Sequence, residues 1–367
     1  MLDASFWAGR RVLLTGHTGF KGSWLLLWLQ ELGAEVWTYA LEPEPEPNLF
    51  RQLAQARPPG EGWQHQIGEL ADLEALKALV LRAQPEVVLH LAAQPLVRHS
   101  YVDPVGTWAT NVMGSLHVLE ALKPLAHPCA VVMVTTDKVY QNQEWAYGYR
   151  EPDRLGGHDP YSASKAGAEI AIASWRSSFC GKGAHQTPQL RIATARAGNV
   201  ISGGDWAVDR IVPDAIRALA AGEPIKVRNA EATRPWQHVI EPLGGYLRLA
   251  EALAQAASPP CEAFNFGPSL ASNRPVRDLV ESILKHWPGA WLDQSDPSAP
   301  HEANLLHLQI DKAHHELDWQ PRWDYATTIE RTVAWYQAHH LGTPALECCL
   351  ADLEAYQQST NLPCINS

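Results

Sequence analysis

The stretch R-V-L-L-T-G-H-T-G-F-K-G, residues 11–22, decides the fold. Its apolar centre gives residues 11–15 the character of a strand buried in a parallel sheet. Gly16, Gly19 and Gly22 follow at spacings of three. Glycine permits the tight turn, lets backbone N–H groups approach a pyrophosphate, and lets the next helix pack closely on the strand. That helix, expected over 20–32, is apolar on several faces and stops at Gly33, a residue suited to the left-handed position after a helix end. Its N-terminus turns the positive end of the helix dipole toward an anion. Gly16, Thr18, Gly19, Phe20 and Gly22 are therefore the candidate dinucleotide cradle. The pattern is G-x-x-G-x-x-G and not G-x-G-x-x-G, so taken alone it also reads as an ordinary glycine-rich turn before a core helix.

Outward from this stretch the chain alternates strand and helix. Strands are expected at 11–15, 35–40, 86–91, 130–135, 191–196 and 263–266, and helices at 20–32, 72–83, 106–122, 161–179, 239–255 and 325–340. Stretches long enough for crossover helices imply an α/β fold, a Rossmann-type doubly wound parallel sheet. The dinucleotide-binding domain is expected over 1–197, completed by about 237–267. Residues 198–236 and 268–357 read as a smaller substrate-binding lobe. The second strand should end near an adenosine ribose, where an acid marks a 2′-hydroxyl. Glu42 is the candidate, and no Arg or Lys follows it until Arg51, which favours NAD over NADP. The run E-P-E-P-E-P, residues 42–47, reads as a stiff solvated loop.

Composition narrows the function classes. With 29 basic against 40 acidic residues, a net charge of −11 and no basic stripe, nucleic acid is not an expected partner. The apolar run 24–29 is too short to span a bilayer, and no secretory leader precedes it, so no membrane association is expected. Six cysteines without a C-x-x-C pair fit reduced thiols in a cytoplasm and no metal site. None of the 16 histidines falls in H-x-x-x-H spacing, and His314 and His315 read as surface residues.

The second informative string is P-Y-S-A-S-K, residues 160–165. Tyr161 and Lys165 stand i, i+4 and leave one face of a helix. A phenol with a pKa near 10 is a poor base at neutral pH, and a neighbouring ammonium and a nicotinamide cation both lower it. Alone the pair also reads as a helix-start tyrosine with a solvated lysine. The Asp159-Pro160 lead-in and the upstream cradle weigh against that. Val134 to Tyr140, V-T-T-D-K-V-Y, ends the fourth long strand on the side where ligands of such sheets bind.

With these strings, H-L-A-A-Q-P-L-V-R, T-N-V-M-G, A-R-A-G-N-V-I, G-G-D-W and T-R-P-W-Q-H-V, the chain resembles the extended short-chain dehydrogenase/reductases of the nucleotide-sugar 4,6-dehydratase group, over nearly its whole length. The resemblance implies NAD as cofactor and a redox-neutral dehydration giving a 4-keto-6-deoxy sugar. It implies Tyr161 as base for the sugar 4-hydroxyl, Thr136 as a hydrogen-bond partner of that oxygen, Lys165 on the nicotinamide ribose, and Asp137 as acid for the departing 6-hydroxyl. Related chains often carry Asp-Glu where this one has Asp137-Lys138. A lysine accepts a proton only when neutral. Either the pocket holds Lys138 neutral as the C5 base, or Lys138 stays protonated and stabilises the enolate.

By the same resemblance Glu69 and Leu70 lie near the adenine, Leu91, Ala92 and Ala93 line the cofactor, and Gln94 meets the substrate. Asn199 and Arg234 match diphosphate contacts, with Arg228 and His301 as further substrate candidates. Trp206 and Trp236 are placed near the substrate, while Arg191 and Arg217 read as surface or structural residues. Helices 106–122 and 161–179 match the pair that forms a four-helix interface in homodimers of the superfamily, some of which pair again as tetramers. Two other readings stay open: a nucleotide-sugar 4-epimerase, which shares the cradle and the Tyr/Lys pair, and a dinucleotide-sensing regulator without catalysis.

Overall fold

Seven parallel strands are laid out from β1 (Arg11–Thr15). The others are β2 (Glu35–Tyr39), β3 (Trp63–Gln64), β4 (Val87–His90), β5 (Cys129–Val134), β6 (Leu190–Ala197) and β7 (Ala263–Phe266). The structure, a computed structural model, describes residues 2–60, 62–180, 189–295 and 305–359. The strand order is β7-β6-β5-β4-β1-β2-β3, with Val12 opposite Val36 on one side and Val87 on the other. The order reverses between β1 and β4, so the loops leaving their carboxyl ends diverge and open a crevice.

Both faces of the sheet are covered, which is why its strands are almost continuously apolar. Val12 and Leu14 of β1 point into one core with α1 (Phe20–Glu31), while Leu13 points into the other. That second core is covered by α2 (Leu73–Ala83), by α3, which runs end to end through Pro104–Trp108, Ala109–Met113 and Gly114–Leu122, and by α4 (Pro160–Phe179). The helix α5 (Ile240–Gln255) joins α1 on the first face. Local chemistry starts these helices as expected. Asp72 and Asp159 accept the N–H groups of Ala75 and Ser162, and Gly33 leaves α1 at φ +74°.

All six long strands fall within a residue of their expected bounds. The short strand β3 was not anticipated, because two residues carry no periodicity. Inside α3 the segment Ala109–Met113 is a π-helical turn, where a plain helix over 106–122 was expected. The E-P-E-P-E-P loop is solvated apart from Pro43, and Arg51 donates to the carbonyls of Pro43 and Glu44.

Residues 198–236 and 268–295 supply small two-stranded pieces, Ile225–Val227 with Trp291–Asp293 and Thr233–Pro235 with Asn273–Pro275, and the helices Ile211–Ala220 and Val276–His286. The C-terminal helices Tyr325–His340 and Ala345–Gln358 fold back onto the first face. Tyr356 meets the Trp28 ring of α1 edge-on and donates to the Glu241 carboxylate of α5 at 2.9 Å. Glu241 also accepts the backbone N–H groups of Arg322 and Trp323.

Candidate active site

At the end of β1, Gly16 turns the chain at φ +78° and its N–H donates to the Tyr39 carbonyl. A Cβ at Gly16 would lie 2.6 Å from the Ala92 nitrogen, and one at Gly22 would collide with the Gly16 carbonyl. The cradle is therefore closed to side chains and presents backbone, the surface a pyrophosphate needs. Gly19 caps α1 without a side chain, leaving the helix N-terminus to a ligand. Thr18 donates to the Leu41 carbonyl, and the Thr15 hydroxyl accepts the Ala92 N–H, which pins Leu91, Ala92 and Ala93 beside the cradle. These residues fit a dinucleotide.

On the adenosine side, Glu42 is exposed in the loop after β2. The Glu69 carbonyl accepts the Tyr39 hydroxyl, and Leu70 is buried against Gly114 of α3. His17, inside the glycine string, turns away from the crevice. It is fully buried, 2.7 Å from His65 and 3.1 Å from the Thr38 hydroxyl. Burial first, then the His65 ring, pushes its pKa down to about 3, so it is neutral.

The helix α4 carries Tyr161 and Lys165 to the carboxyl end of β5. The Tyr161 N–H donates to the Ser100 hydroxyl, and the Thr136 side chain is near enough to its phenol to favour the phenolate. Burial pushes the Tyr161 phenol up to about 12, while Thr136 and the Arg210 cation pull it down. The Lys165 ammonium donates to the Val134 carbonyl at 3.3 Å. Burial, then the charge of Lys21, lowers it to about 8, against the pull of Glu169. Thr136 donates to Asp137 Oδ1 at 3.0 Å, and Asp137 is 3 % exposed. Burial raises the Asp137 carboxyl, opposed by Lys138, Thr136, Lys21 and Arg234. Gly198 packs on Asp137, and Arg234 lies near enough to act on the Asp137 charge.

The structure thus brings together Thr136, Asp137, Lys138, Tyr161, Lys165 and Arg234. Gln94 stands at the same rim, its backbone held by Asn111 on both sides and its side chain donating to Thr107. Arg228 lies outside this corner, paired with Asp209 at 2.5 Å, and Arg98 pairs with the same carboxylate at 3.1 Å. Trp206 packs its ring against Tyr336 and His339. Trp236, expected near the substrate, is instead buried in the core and donates its indole N–H to the Arg274 carbonyl. Arg191 and Arg217 bond carbonyls of Leu253 and Trp206, the structural roles expected of them. His314 is half-buried and not a surface residue. His301 lies outside the described residues.

Four contributors were missed. Lys21 sits within the quoted glycine string, and its ammonium feels Asp137 and Arg210. A lysine opening an otherwise apolar helix was the available signal. Arg210, held by Asp205 at 2.8 Å, faces Tyr161 and Lys21. Asn111, in the π turn of α3, donates to Ser164, whose hydroxyl donates to the Tyr161 carbonyl. Beneath the site, Glu169 accepts Thr135, Thr194 and Arg196, and Arg196 donates on to the Tyr140 hydroxyl. No group of three metal-ligating side chains is found among the described residues, and no helix among them is long and apolar enough to cross a membrane.

A model described as the NAD dependent epimerase/dehydratase family matches residues 12–267. The chain is 42% identical over 362 residues to a CDP-glucose 4,6-dehydratase of Salmonella typhimurium, covering 98% of this chain and 99% of that protein. It is 28% identical over 341 residues to a dTDP-glucose 4,6-dehydratase of Streptomyces antibioticus, covering 89% and 92%. In fold it is similar to the dTDP-glucose 4,6-dehydratase of Bacillus anthracis solved in complex with NAD, with a TM-score of 0.75 and 20% identity over 92% of this chain and 100% of that one. The epimerase Mth375 of Methanothermobacter thermautotrophicus superposes equally well, with a TM-score of 0.76 and 22% identity over 92% and 95%.

Proposed function

The chain belongs to the NAD dependent epimerase/dehydratase family and is an NAD-using nucleotide-sugar dehydratase, and from that premise we propose that its substrate is CDP-D-glucose. The product is CDP-4-dehydro-6-deoxy-D-glucose with one water, a precursor for deoxysugar and lipopolysaccharide synthesis. One observation carries the dehydration over epimerisation: a carboxyl, Asp137, is buried one hydroxyl away from Tyr161. An epimerase has no group to expel and needs no such acid.

NAD held in the cradle would supply the hydride acceptor and donor that oxidise C4 and reduce C6 with no net redox change. The Gly16–Gly22 cradle and the N-terminus of α1 hold its pyrophosphate, Glu42 and Glu69-Leu70 its adenosine end, and Lys165 its nicotinamide ribose. Tyr161 removes the O4 proton, with Thr136 on the same oxygen. The resulting ketone acidifies C5, and Lys138 takes that proton and later restores it. Asp137, whose carboxyl burial raises above its ordinary value, gives its proton to O6 as water departs. Gln94, Asn199 and Arg234 orient the sugar diphosphate; Trp206 and Arg228 belong to the outer wall. The lobe from 198–236 and 268–357 selects the nucleotide, with its C-terminal helices bracing α1 and α5.

Two chains assemble through α3 and α4. Val105, Trp108, Met113 and Ile170 are large apolar residues exposed on these two helices, and a second copy of them can cover that apolar surface. Free cysteines at 129, 180, 261, 348 and 349 support a reducing, cytoplasmic setting.

The test is a mass and chromophore assay with CDP-, dTDP-, UDP- and GDP-glucose, each with NAD. Loss of one water from CDP-glucose alone, without net NADH, is expected. An isomer of unchanged mass would make the protein an epimerase, and water loss from another nucleotide would reassign the substrate.

A further inference from the structure

Three charged side chains cross the mouth of the crevice, and the reaction described above leaves them without a task. Arg98 stands in the short helix Val97–Val102 of the dinucleotide-binding side, with its guanidinium 3.1 Å from Asp209 Oδ2. Arg228 follows the strand Ile225–Val227 of the second lobe and donates to Asp209 Oδ1 at 2.5 Å and to the Asp209 carbonyl at 3.1 Å. One carboxylate therefore answers two guanidinium groups that arrive from different parts of the fold. A further carboxylate within reach of Arg228, that of Asp214 at 4.0 Å, is itself paired with Arg217.

Both ends of this bridge are tied to the catalytic corner. Ser100, two residues beyond Arg98, accepts the Tyr161 N–H at 3.1 Å. Arg210, the neighbour of Asp209, is held by Asp205 at 2.8 Å, and its charge reaches the Tyr161 phenol. Asp209 itself sits at φ +65°, a left-handed turn that aspartate and asparagine adopt more readily than most residues. Arg98, Asp209 and Arg228 are all exposed. Ion pairs in that setting contribute little each, so they exchange readily for a stronger anion. A diphosphate is such an anion. It carries two charges where Asp209 carries one, and each phosphate accepts both prongs of a guanidinium.

We propose that Arg98 and Arg228 form a two-armed clamp for the substrate's diphosphate, and that Asp209 is its placeholder, holding both arms in position until the nucleotide sugar displaces it. This rests on the nucleotide-sugar reading above and adds Arg98 and Asp209 to the residues that act on substrate. No covalent bond changes; two ion pairs to a carboxylate are traded for two to phosphate. Asp209 thus has opposite effects. It keeps two like charges together in the empty site, and it competes with the substrate for them.

The experiment titrates CDP, dTDP, UDP and GDP into wild type by calorimetry. The tightest of them, CDP on the reading above, is then carried through Asp209→Asn, Arg98→Met and Arg228→Met, with NAD titrated into each variant as a control. Asparagine keeps the size of the side chain and tolerates the left-handed backbone, and methionine keeps most of the stem without the charge. Asp209→Asn is expected to bind the nucleotide about three- to tenfold tighter, since two exposed ion pairs no longer compete. Its KM for CDP-glucose should fall by a similar factor. Arg98→Met and Arg228→Met are each expected to weaken nucleotide binding about tenfold, the loss of a charged hydrogen bond. NAD affinity is expected to stay within about twofold throughout, because the clamp lies away from the glycine cradle. A purely structural ion pair gives no gain when it is broken. Unchanged or weaker nucleotide binding in Asp209→Asn, with NAD binding intact, would therefore overturn the placeholder. Nucleotide affinities within about twofold of wild type in both arginine variants would overturn the clamp. If none of the four nucleotides binds wild type, the nucleotide-sugar reading itself fails and the clamp falls with it.

Discussion

Glu169 and Arg196 form an ion pair at 2.9 Å beneath the active site, each with a side chain only 4 % exposed. Replacing Glu169 by glutamine keeps the volume but leaves the Arg196 guanidinium buried without a counter-charge. Breaking such a pair costs about 3–5 kcal/mol, most of it the uncompensated charge. With a urea m-value of about 3 kcal/mol/M for a chain of this size, that lowers the unfolding midpoint by about 1–1.7 M. Burial pushes the Glu169 carboxyl up, but Arg196 and the Thr135 and Thr194 hydroxyls outweigh it, so its folded pKa lies below the ordinary 4.5. Its stabilisation is thus present above pH 4.5 and fades as pH falls through the folded value, and wild type and Glu169→Gln should converge in acid. The assay is urea unfolding of wild type, Glu169→Gln, Arg196→Met and the double variant at pH 7.5 and 4. Removing both charges should cost less than the two single losses together, with a coupling of at least about 2 kcal/mol. Strict additivity, or a midpoint drop in Glu169→Gln under about 0.3 M, would refute the claim that these charges hold each other.

Three further outcomes are expected. Gly22→Ala places a methyl against the Gly16 carbonyl and should weaken NAD binding at least about 100-fold by calorimetry, with the fold kept by circular dichroism. Glu241, raised to about 7 by burial, favours the folded state fully below its unfolded value of 4.5 and loses about 3 kcal/mol as pH rises through about 7. Glu241→Gln, which stays neutral, should flatten the fall in melting temperature between pH 5 and pH 8. Val105→Glu, at an exposed position of α3, should convert a dimer to monomer in sedimentation equilibrium while leaving the melting temperature of the isolated chain nearly unchanged.

The sheet was legible because its strands are buried on both faces and therefore spell themselves as apolar runs between glycine and helix signals. Val87 to His90 and Cys129 to Val134 contain no exposed position at all. Where strands shrink to two or three residues, as at Trp63–Gln64 or Thr233–Pro235, the pattern has no length in which to repeat. The helix Leu49–Ala56 was hidden behind the proline run, although Asn48 caps it by accepting the Arg51 N–H. Trp236 shows the limit on side chains. Its proximity in sequence to Arg234 suggested the substrate, but the fold turns its indole into the core toward Arg274.

Site residues that neighbour one another in sequence were readable; their partners from distant elements were not. Thr135 and Thr136 make the distinction plain. They are consecutive at the end of β5, and an extended backbone sends their side chains to opposite sides. Thr135 donates downward to Glu169 of α4, which Arg196 of β6 holds in turn. Thr136 donates into the crevice, to Asp137. One threonine anchors the turn to a buried ion pair and the other carries chemistry on it. The string T-T-D-K announces both hydroxyls but not which is which, because the choice depends on a glutamate and an arginine 34 and 61 residues away from Thr135. Glu169→Gln removes the carboxylate that anchors Thr135, and with it the turn that carries Thr136 and Asp137, so it should slow first-turnover formation of the reduced cofactor as well as lower the urea midpoint.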